Sequence, residues 1–225
     1  MKKLSLAFGA LALVGTVHAG MYTFTPTPAD LYDLDHHNAV AWGVTNTAAL
    51  QSQLTDGFRI SGATLTINNI WDWKKEDDML FINLLDDPKS GVRVYSDNTA
   101  DNVISNYFDT TAGGAKWQGS TPLTTWTDPN GGDNGANKIN FVYNFGQADL
   151  TVLTKYLTDP TYSNKVAFGL GFDADCHYYN TGISLVIHTE KIPTSVPDSG
   201  STAGLLAAGL AACAYLRRRV TSLWS

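Results

Sequence analysis

Segments in which apolar and polar residues alternate one by one recur through the middle of this chain. In GATLTINNI, Ala63, Leu65 and Ile67 alternate with threonines. The same period of two appears in INFVYNF (residues 139–145) and KVAFGLGF (residues 165–172). Successive side chains of a β-strand point to opposite faces of a sheet, so this period is typical of strands with one buried face. The middle of the chain is therefore predicted to form β-sheets.

Further runs of strand length stand between clusters of Gly, Asn, Asp and Pro, the residues that turns favour. These runs are AVAWGV (residues 39–44), MLFINLLDD (79–87), GVRVYS (91–96) and GISLVIHT (182–189). One short helix is predicted at DLTVLTKYLTD, with Asp149 as N-cap and three leucines on one face. This pattern favours a mainly β fold, an antiparallel jelly-roll-like β-sandwich. Residues 96–138, rich in Gly, Thr, Asn and Asp, are predicted to form long surface loops.

The N-terminus, MKKLSLAFGALALVGTVHAG, has two lysines, then an apolar stretch, then small residues. A charged n-region, an apolar h-region and a small-residue cleavage site together make a secretory signal peptide. The apolar stretch from Leu4 to Val17 is shorter than the about 20 residues of a membrane-spanning helix. Residues 1–19 are therefore predicted to be a signal peptide that exports the protein, and residues 20–195 its ectodomain.

The C-terminal segment, residues 196–225, combines a turn signal, an apolar run and a basic cluster. Residues 203–216 carry no charge and would rise about 21 Å as a helix, against a hydrocarbon core of about 30 Å. Adding residues 200–202 gives a marginal span, and the positive-inside rule would place the arginines 217–219 on the cytoplasmic side. The tail is predicted to be a short transmembrane helix that anchors the exported chain in the inner membrane.

The order of features in this tail resembles a known sorting signal, the VPDSG variant of the PEP-CTERM signals of Gram-negative bacteria. The matching residues are Val196, Pro197, Asp198, Ser199, Gly200, Arg217, Arg218 and Arg219. In that family an exosortase, an integral membrane protease and transferase, recognises the motif. The resemblance implies that the protein is released from the membrane toward the cell surface or the extracellular polysaccharide matrix. A plain tail anchor is the alternative.

Three stretches of the middle region resemble an uncharacterised ectodomain of other exported PEP-CTERM-like proteins. They are DLDHHNAVAWGV, IWDWKKEDD and GFDADCHYYNTGISL. The resemblance implies a shared β-sandwich and brings no known activity with it.

The ectodomain is acidic. Five of the chain's 15 Lys and Arg residues lie in the two terminal segments, whereas all but one of its 21 Asp and Glu residues lie in residues 20–197. This region is therefore about ten units negative, which makes nucleic acid and anionic lipid poor partners. A bridge between Cys176 and Cys213, the two cysteines, would join the ectodomain to the tail, so no disulfide is predicted.

Two kinds of function are open for the ectodomain: a non-catalytic scaffold role and a carbohydrate-binding module. Four tryptophans stand beside polar loop sequence, where exposed rings would stack on sugars: Trp71, Trp73, Trp117 and Trp126. Packing in the core or at a sheet edge is the other interpretation of these rings. No nucleophile elbow, HExxH helix, P-loop or dinucleotide fingerprint occurs, so an enzyme is not expected. A glycosidase pair of Asp72 with Glu76 or Asp78 is the remaining catalytic alternative.

The pattern D-x-D-x-H occurs twice, at Asp33, Asp35 and His37 and again at Asp173, Asp175 and His177. Jelly rolls commonly place their first and last strands side by side, which would bring the two segments together. Four close carboxylates, Asp33, Asp35, Asp173 and Asp175, would repel unless a cation neutralised them, and oxygen ligands favour calcium. A structural Ca²⁺ site is therefore predicted. The alternatives are zinc or copper, bound by His36, His37, Cys176 and His177, and hydrogen-bonded turns without a metal.

Overall fold

The computed structural model describes residues 19–72, 77–97, 104–109, 117, 119–128, 136–159, 166–193 and 210. The chain divides into two compact units, residues 1–191 and 192–225, and all the strands described lie in the first. Within the described residues the strands are β1 Met21–Phe24, β2 Asn38–Gly43, β3 Phe58–Asp72, β4 Asp78–Asp86, β5 Gly91–Ser96, β6 Ser120–Asp128, β7 Ile139–Asn144, β8 Phe168–Ala174, β9 Tyr178–Tyr179 and β10 Gly182–Lys191. The helices of this unit are α1 Ala48–Thr55 and α2 Gln147–Thr158.

These strands form two antiparallel sheets. The first sheet has the order β1-β10-β3-β7, and β9 pairs with the C-terminal end of β3. The second sheet has the order β5-β2-β8-β4-β6. Without the short β9 and the edge strand β5, the sheets have the orders β1-β10-β3-β7 and β2-β8-β4-β6. These are the strand orders of a jelly roll, in which the first strand lies next to the last. The predicted mainly β, jelly-roll-like fold is confirmed.

The long strand β3 shows how the alternating sequence produces the first sheet. Ala63, Leu65 and Ile67 point into the core, and the threonines between them lie on the other, partly exposed face. Irregularities in the pairing with β10 and β7 allow β3 to run for 15 residues. One of them lies next to Asn69, whose φ of 49° is left-handed. Bulges of this kind let a long strand keep its apolar face toward the core while the sheet twists.

The central strand of the second sheet, β8, is buried on both faces. Phe168, Leu170 and Phe172 enter the core between the sheets. On the outer face, a Cβ at Gly171 would lie 2.9 Å from the ring of Phe108, a fully buried side chain. Residues 104–109 therefore cover this face. The prediction of long surface loops over residues 96–138 is therefore wrong for residues 104–109, which pack against the sheet, and for β6.

The helices correct two further expectations. The predicted helix is α2, but its N-cap is Gly146. Asp149 lies three residues inside, where its Oδ2 atom accepts hydrogen bonds from the Gly146 backbone N–H and the Tyr143 hydroxyl, both at 2.8 Å. The second helix, α1, was not predicted from the sequence. The Gln51 side-chain amide of α1 donates to the carbonyl oxygen of Leu157 at 3.0 Å, so this short helix depends on contact with α2.

Two glycines in strands provide a test of this close packing. A Cβ at Gly43 would lie 2.0 Å from the backbone carbonyl oxygen of Lys89, whereas a Cβ at Gly62 meets nothing within 4 Å. Gly43→Ala is expected to lower the free energy of unfolding by about 2 kcal/mol or more, because the backbone must move. Gly62→Ala, the matched control, should change it by no more than about 0.5 kcal/mol. Urea titrations compare the two, and equal midpoints would contradict the packing described for Gly43.

Candidate metal centre

The turn before β2 and the segment before β10 lie side by side. The Leu34 N–H donates to the Tyr178 carbonyl oxygen at 2.9 Å, and the Tyr178 N–H donates back to the Leu34 carbonyl oxygen at 2.7 Å. The two D-x-D-x-H segments therefore meet, as the jelly-roll prediction required. Asp35 and His177, 142 positions apart in the sequence, become neighbours through this pairing.

Three imidazoles surround the Asp35 carboxylate. Its Oδ1 atom lies 3.0 Å from Nδ1 of His37 and 3.5 Å from Nδ1 of His36. Its Oδ2 atom lies 3.4 Å from Nδ1 of His177. The rings of His36 and His37 are also close, with centroids 3.9 Å apart. Asp35, His36 and His37 each offer a ligand atom within 4.8 Å of the others, and they are the one such group of three that the described residues form.

Local hydrogen bonds hold the Asp35 carboxylate in place and keep it ionised. The His37 backbone N–H donates to Oδ1 of Asp35 at 2.9 Å, and the Asn38 N–H donates to the Asp35 carbonyl oxygen at 2.8 Å. Burial raises the pKa of Asp35, but the hydrogen bonds from His37 and the nearby imidazoles of His36 and His177 outweigh it, and the net pKa is lowered. At neutral pH this side chain is a carboxylate.

The backbone that leads into the cluster is strained. Leu31, Tyr32 and Asp33 all have left-handed φ values, 58°, 68° and 54°. Consecutive left-handed residues cost roughly 1–2 kcal/mol each, so surrounding contacts must hold them. The Leu31 side chain is fully buried, and the Asn180 amide donates to the carbonyl oxygen of Asp30 at 2.9 Å. The segment between β9 and β10 therefore fixes the turn that positions Asp35.

The four carboxylates predicted to share a calcium ion do not form one ligand group. Asp33 lies in the strained turn. The Oδ2 atom of Asp173 accepts a hydrogen bond from the Tyr107 N–H at 2.6 Å, and Oδ1 of Asp175 accepts one from the Met79 N–H at 2.5 Å. Asp35 is the one of the four that belongs to the close group of metal-ligating atoms formed by the described residues. The structure thus surrounds Asp35 with histidines.

Several acidic side chains are buried near Tyr178. Asp72, Asp78 and Asp175 are each at most 3% exposed. Burial, and then the neighbouring Asp78, raise the pKa of Asp175 to about 6 in spite of its hydrogen bond from Met79. Burial and then the same three carboxylates raise the pKa of the Tyr178 hydroxyl. Burial and a hydrogen bond with Asp78 raise the pKa of Cys176, a free buried thiol, to about 12. Asp72 and Asp78, the candidate glycosidase residues that the structure describes, are thus both buried.

The candidate sugar-binding tryptophans contact other side chains. Trp71 stacks on Tyr179 with centroids 4.5 Å apart, and the Lys138 amine lies 5.7 Å from the centre of the same indole. Trp117 packs against Tyr95 and Phe108 over the outer face of the second sheet. Trp126 packs against Phe141 and Tyr178 at the edge of the sandwich. Trp73 and Glu76 lie outside the described residues.

The sorting residues Val196 to Gly200 and Arg217 to Arg219, like the predicted signal peptide up to residue 18, also lie outside the described residues. A family profile described as the VPDSG-CTERM motif matches residues 195–220. The chain carries a VPDSG-CTERM sorting signal. This signal marks an exported protein whose membrane-associated precursor is processed by an exosortase-type membrane enzyme and sorted to the cell surface. No curated protein matches the chain.

In the part of the chain that the structure describes, no helix has the length and apolar character needed to cross a bilayer. The predicted transmembrane tail, residues 196–225, falls outside that part except for Leu210.

The calcium set predicted from the sequence contained only aspartates, whereas His36, His37 and His177 belonged to the zinc or copper alternative. The dipeptide His36-His37 directly after Asp35 was the available signal, because adjacent imidazoles beside a carboxylate match the donors that zinc prefers. The regular spacing of the carboxylates favours Asp173 and Asp175 as ligands, but their side-chain oxygens accept backbone hydrogen bonds instead.

The raised pKa of Asp175 predicts how stability depends on pH. Its folded value of about 6 exceeds the model-peptide value of 3.8, so the folded state binds the proton more tightly and the unfolding free energy falls as pH rises from about 4 to about 6. Asp175→Asn removes this titration, so the fall in the unfolding free energy should be smaller by at most about 3 kcal/mol. The Asn side-chain oxygen still accepts the hydrogen bond from the Met79 N–H. Chemical denaturation across this pH range in chelator measures the effect. Asp56→Asn controls for the lost charge, and a profile that Asp175→Asn leaves unchanged would contradict the assignment.

Proposed function

We propose that the β-sandwich is a non-catalytic structural component of the cell surface or extracellular matrix. The observation that carries the proposal is the VPDSG-CTERM motif at residues 195–220, a signal that delivers proteins outward and performs no chemistry itself. The acidic ectodomain suits an aqueous exterior. Its partners are then the exosortase during sorting and the surface matrix, with its polysaccharide, afterwards.

The burial of the acidic side chains supports a scaffold over a glycosidase. Hydrolysis of a glycosidic bond requires two carboxyl groups that flank the bound sugar. Asp72 and Asp78, at 1% and 0% exposed, are enclosed between the strands. A cleft of about 370 Å³ beside β1 is lined by residues 21–25, Trp42 and residues 44–46, which include no carboxylate, imidazole or thiol.

Aromatic packing favours the scaffold over the carbohydrate-binding alternative. A sugar stacks on an aromatic face that is open to solvent. Trp71 is stacked on Tyr179, and Trp126 packs against Phe141 and Tyr178. Both rings therefore have packing partners within the fold.

Sorting is tested by the fate of the C-terminus. In the native host the mature chain should lack the segment after about Gly200, because the exosortase cuts at its motif. In a host without exosortase the chain should keep that segment and remain in the membrane fraction. Pro197→Ala should block processing, and Pro193→Ala, outside the matched residues, should not. Intact-mass analysis measures the C-terminus, and an uncut chain in the native host would refute exosortase processing.

The scaffold role is tested by exposing the purified full chain to a glycan array and a polysaccharide hydrolysis panel. Neither selective binding nor hydrolysis is expected. Glycan binding that Trp71→Ala or Trp126→Ala abolishes, in variants with unchanged circular dichroism, would favour the carbohydrate-binding module. Hydrolysis lost in Asp72→Asn or Asp78→Asn, with fold retained, would favour an enzyme.

A further inference from the structure

We propose that Asp35, His36 and His37 bind a divalent transition-metal ion of the zinc type, with His177 orienting the Asp35 carboxylate. This site is independent of the sorting signal and of the scaffold role. It combines one carboxylate oxygen with two imidazole nitrogens from consecutive residues, and it lies where the strained turn before β2 meets the segment before β10.

The spacing of the donor atoms suits a small ion. Zinc binds His nitrogen and carboxylate oxygen at about 2.0–2.2 Å, so neighbouring donors in a tetrahedral site stand about 3.3–3.6 Å apart. Nδ1 of His36 and Nδ1 of His37 lie 3.5 and 3.0 Å from the same oxygen, Oδ1 of Asp35. The two distances need to change by only a few tenths of an ångström for these three atoms to occupy neighbouring positions around one zinc ion.

His177 fits the role of an outer partner. Its Nδ1 lies 3.4 Å from Oδ2 of Asp35, whereas Nδ1 of His36 and Nδ1 of His37 contact Oδ1. Its ring stacks on Tyr179 with centroids 4.4 Å apart, and Tyr179 stacks in turn on Trp71. The stacked rings hold the imidazole against Asp35. Partners of this kind fix the orientation of a metal-binding side chain and commonly affect affinity by about 10- to 100-fold.

The donor set selects the class of metal. Calcium takes 6–8 oxygen ligands, whereas imidazole nitrogens suit zinc, copper, iron and nickel. Two imidazoles and one carboxylate form the protein ligand set of several zinc sites that leave a further position for water. Cys176, included in the zinc alternative drawn from the sequence, is fully buried and hydrogen-bonds with Asp78, so it does not join this set.

The site is accessible to ions from solution. The His37 side chain is 64% exposed, and those of Asp35 and His177 are each 30% exposed. The negative net charge of the ectodomain would raise the local concentration of cations. In the proposed site, water or a polar group of the matrix would complete the coordination of the ion.

The test is a metal titration of the purified full chain, produced with a tag that contains no histidine. After chelation and dialysis, one Zn²⁺ should bind per chain, and zinc at a hundredfold excess over Kd should raise Tm by about 5 °C. Ca²⁺ should cause no shift. Co²⁺ should acquire the intense visible absorption of a low-coordinate nitrogen and oxygen site, which a merely adventitious surface ion would not show.

Variants assign the ligands. His37→Gln changes an exposed side chain and should lower zinc affinity at least about tenfold, as should Asp35→Asn, while His177→Gln should lower it by about 10- to 100-fold. His188→Gln, at an exposed histidine of β10 outside the cluster, is the matched control and should bind as the unaltered protein does. Circular dichroism checks that each variant folds. Zinc binding that is absent, or equally strong in His37→Gln and His188→Gln, would overturn the proposal, as would a Tm shift with calcium alone.

Discussion

The pairing of the two ends of the ectodomain is the constraint on which the rest of the structure depends. β1 pairs with β10 over four residues, and Leu34 exchanges two backbone hydrogen bonds with Tyr178. In an antiparallel sheet a slip of one residue turns every side chain to the other face. This register therefore decides which side chains of the first segment face which side chains of the last, and it places Asp35 against His177.

The same end of the sandwich holds buried acids close together. Burying a carboxylate is costly unless hydrogen bonds or opposite charges compensate. Asp175 receives a backbone hydrogen bond from Met79, yet its pKa is still raised to about 6, because burial and Asp78 act against ionisation. Asp35, less buried and surrounded by imidazoles, has a lowered pKa. Two carboxylates of one repeated motif thus acquire opposite properties from their surroundings.

Much of the fold could be read from local pattern. The predicted segment 91–96 is β5 itself, and the alternating runs became β3, β7 and β8, because a period of two is a property of neighbouring residues. Elements that depend on distant contacts were missed. The strand β6 lies at a sheet edge and carries mostly polar residues and Pro122. The helix α1 has only eight residues, and its Gln51 side chain hydrogen-bonds to α2. Their sequences offer little local signal.

The sequence by itself determined the class of fold and the sorting signal. Each is written in consecutive residues: alternation in the strands, and a linear motif at residues 195–220. Only the tertiary structure decided which polar groups meet. It buried Phe108 against Gly171, took Asp173 and Asp175 into backbone hydrogen bonds, and gathered His36, His37 and His177 around Asp35. These contacts join residues up to 142 positions apart, and strand register, which no local pattern specifies, sets their geometry.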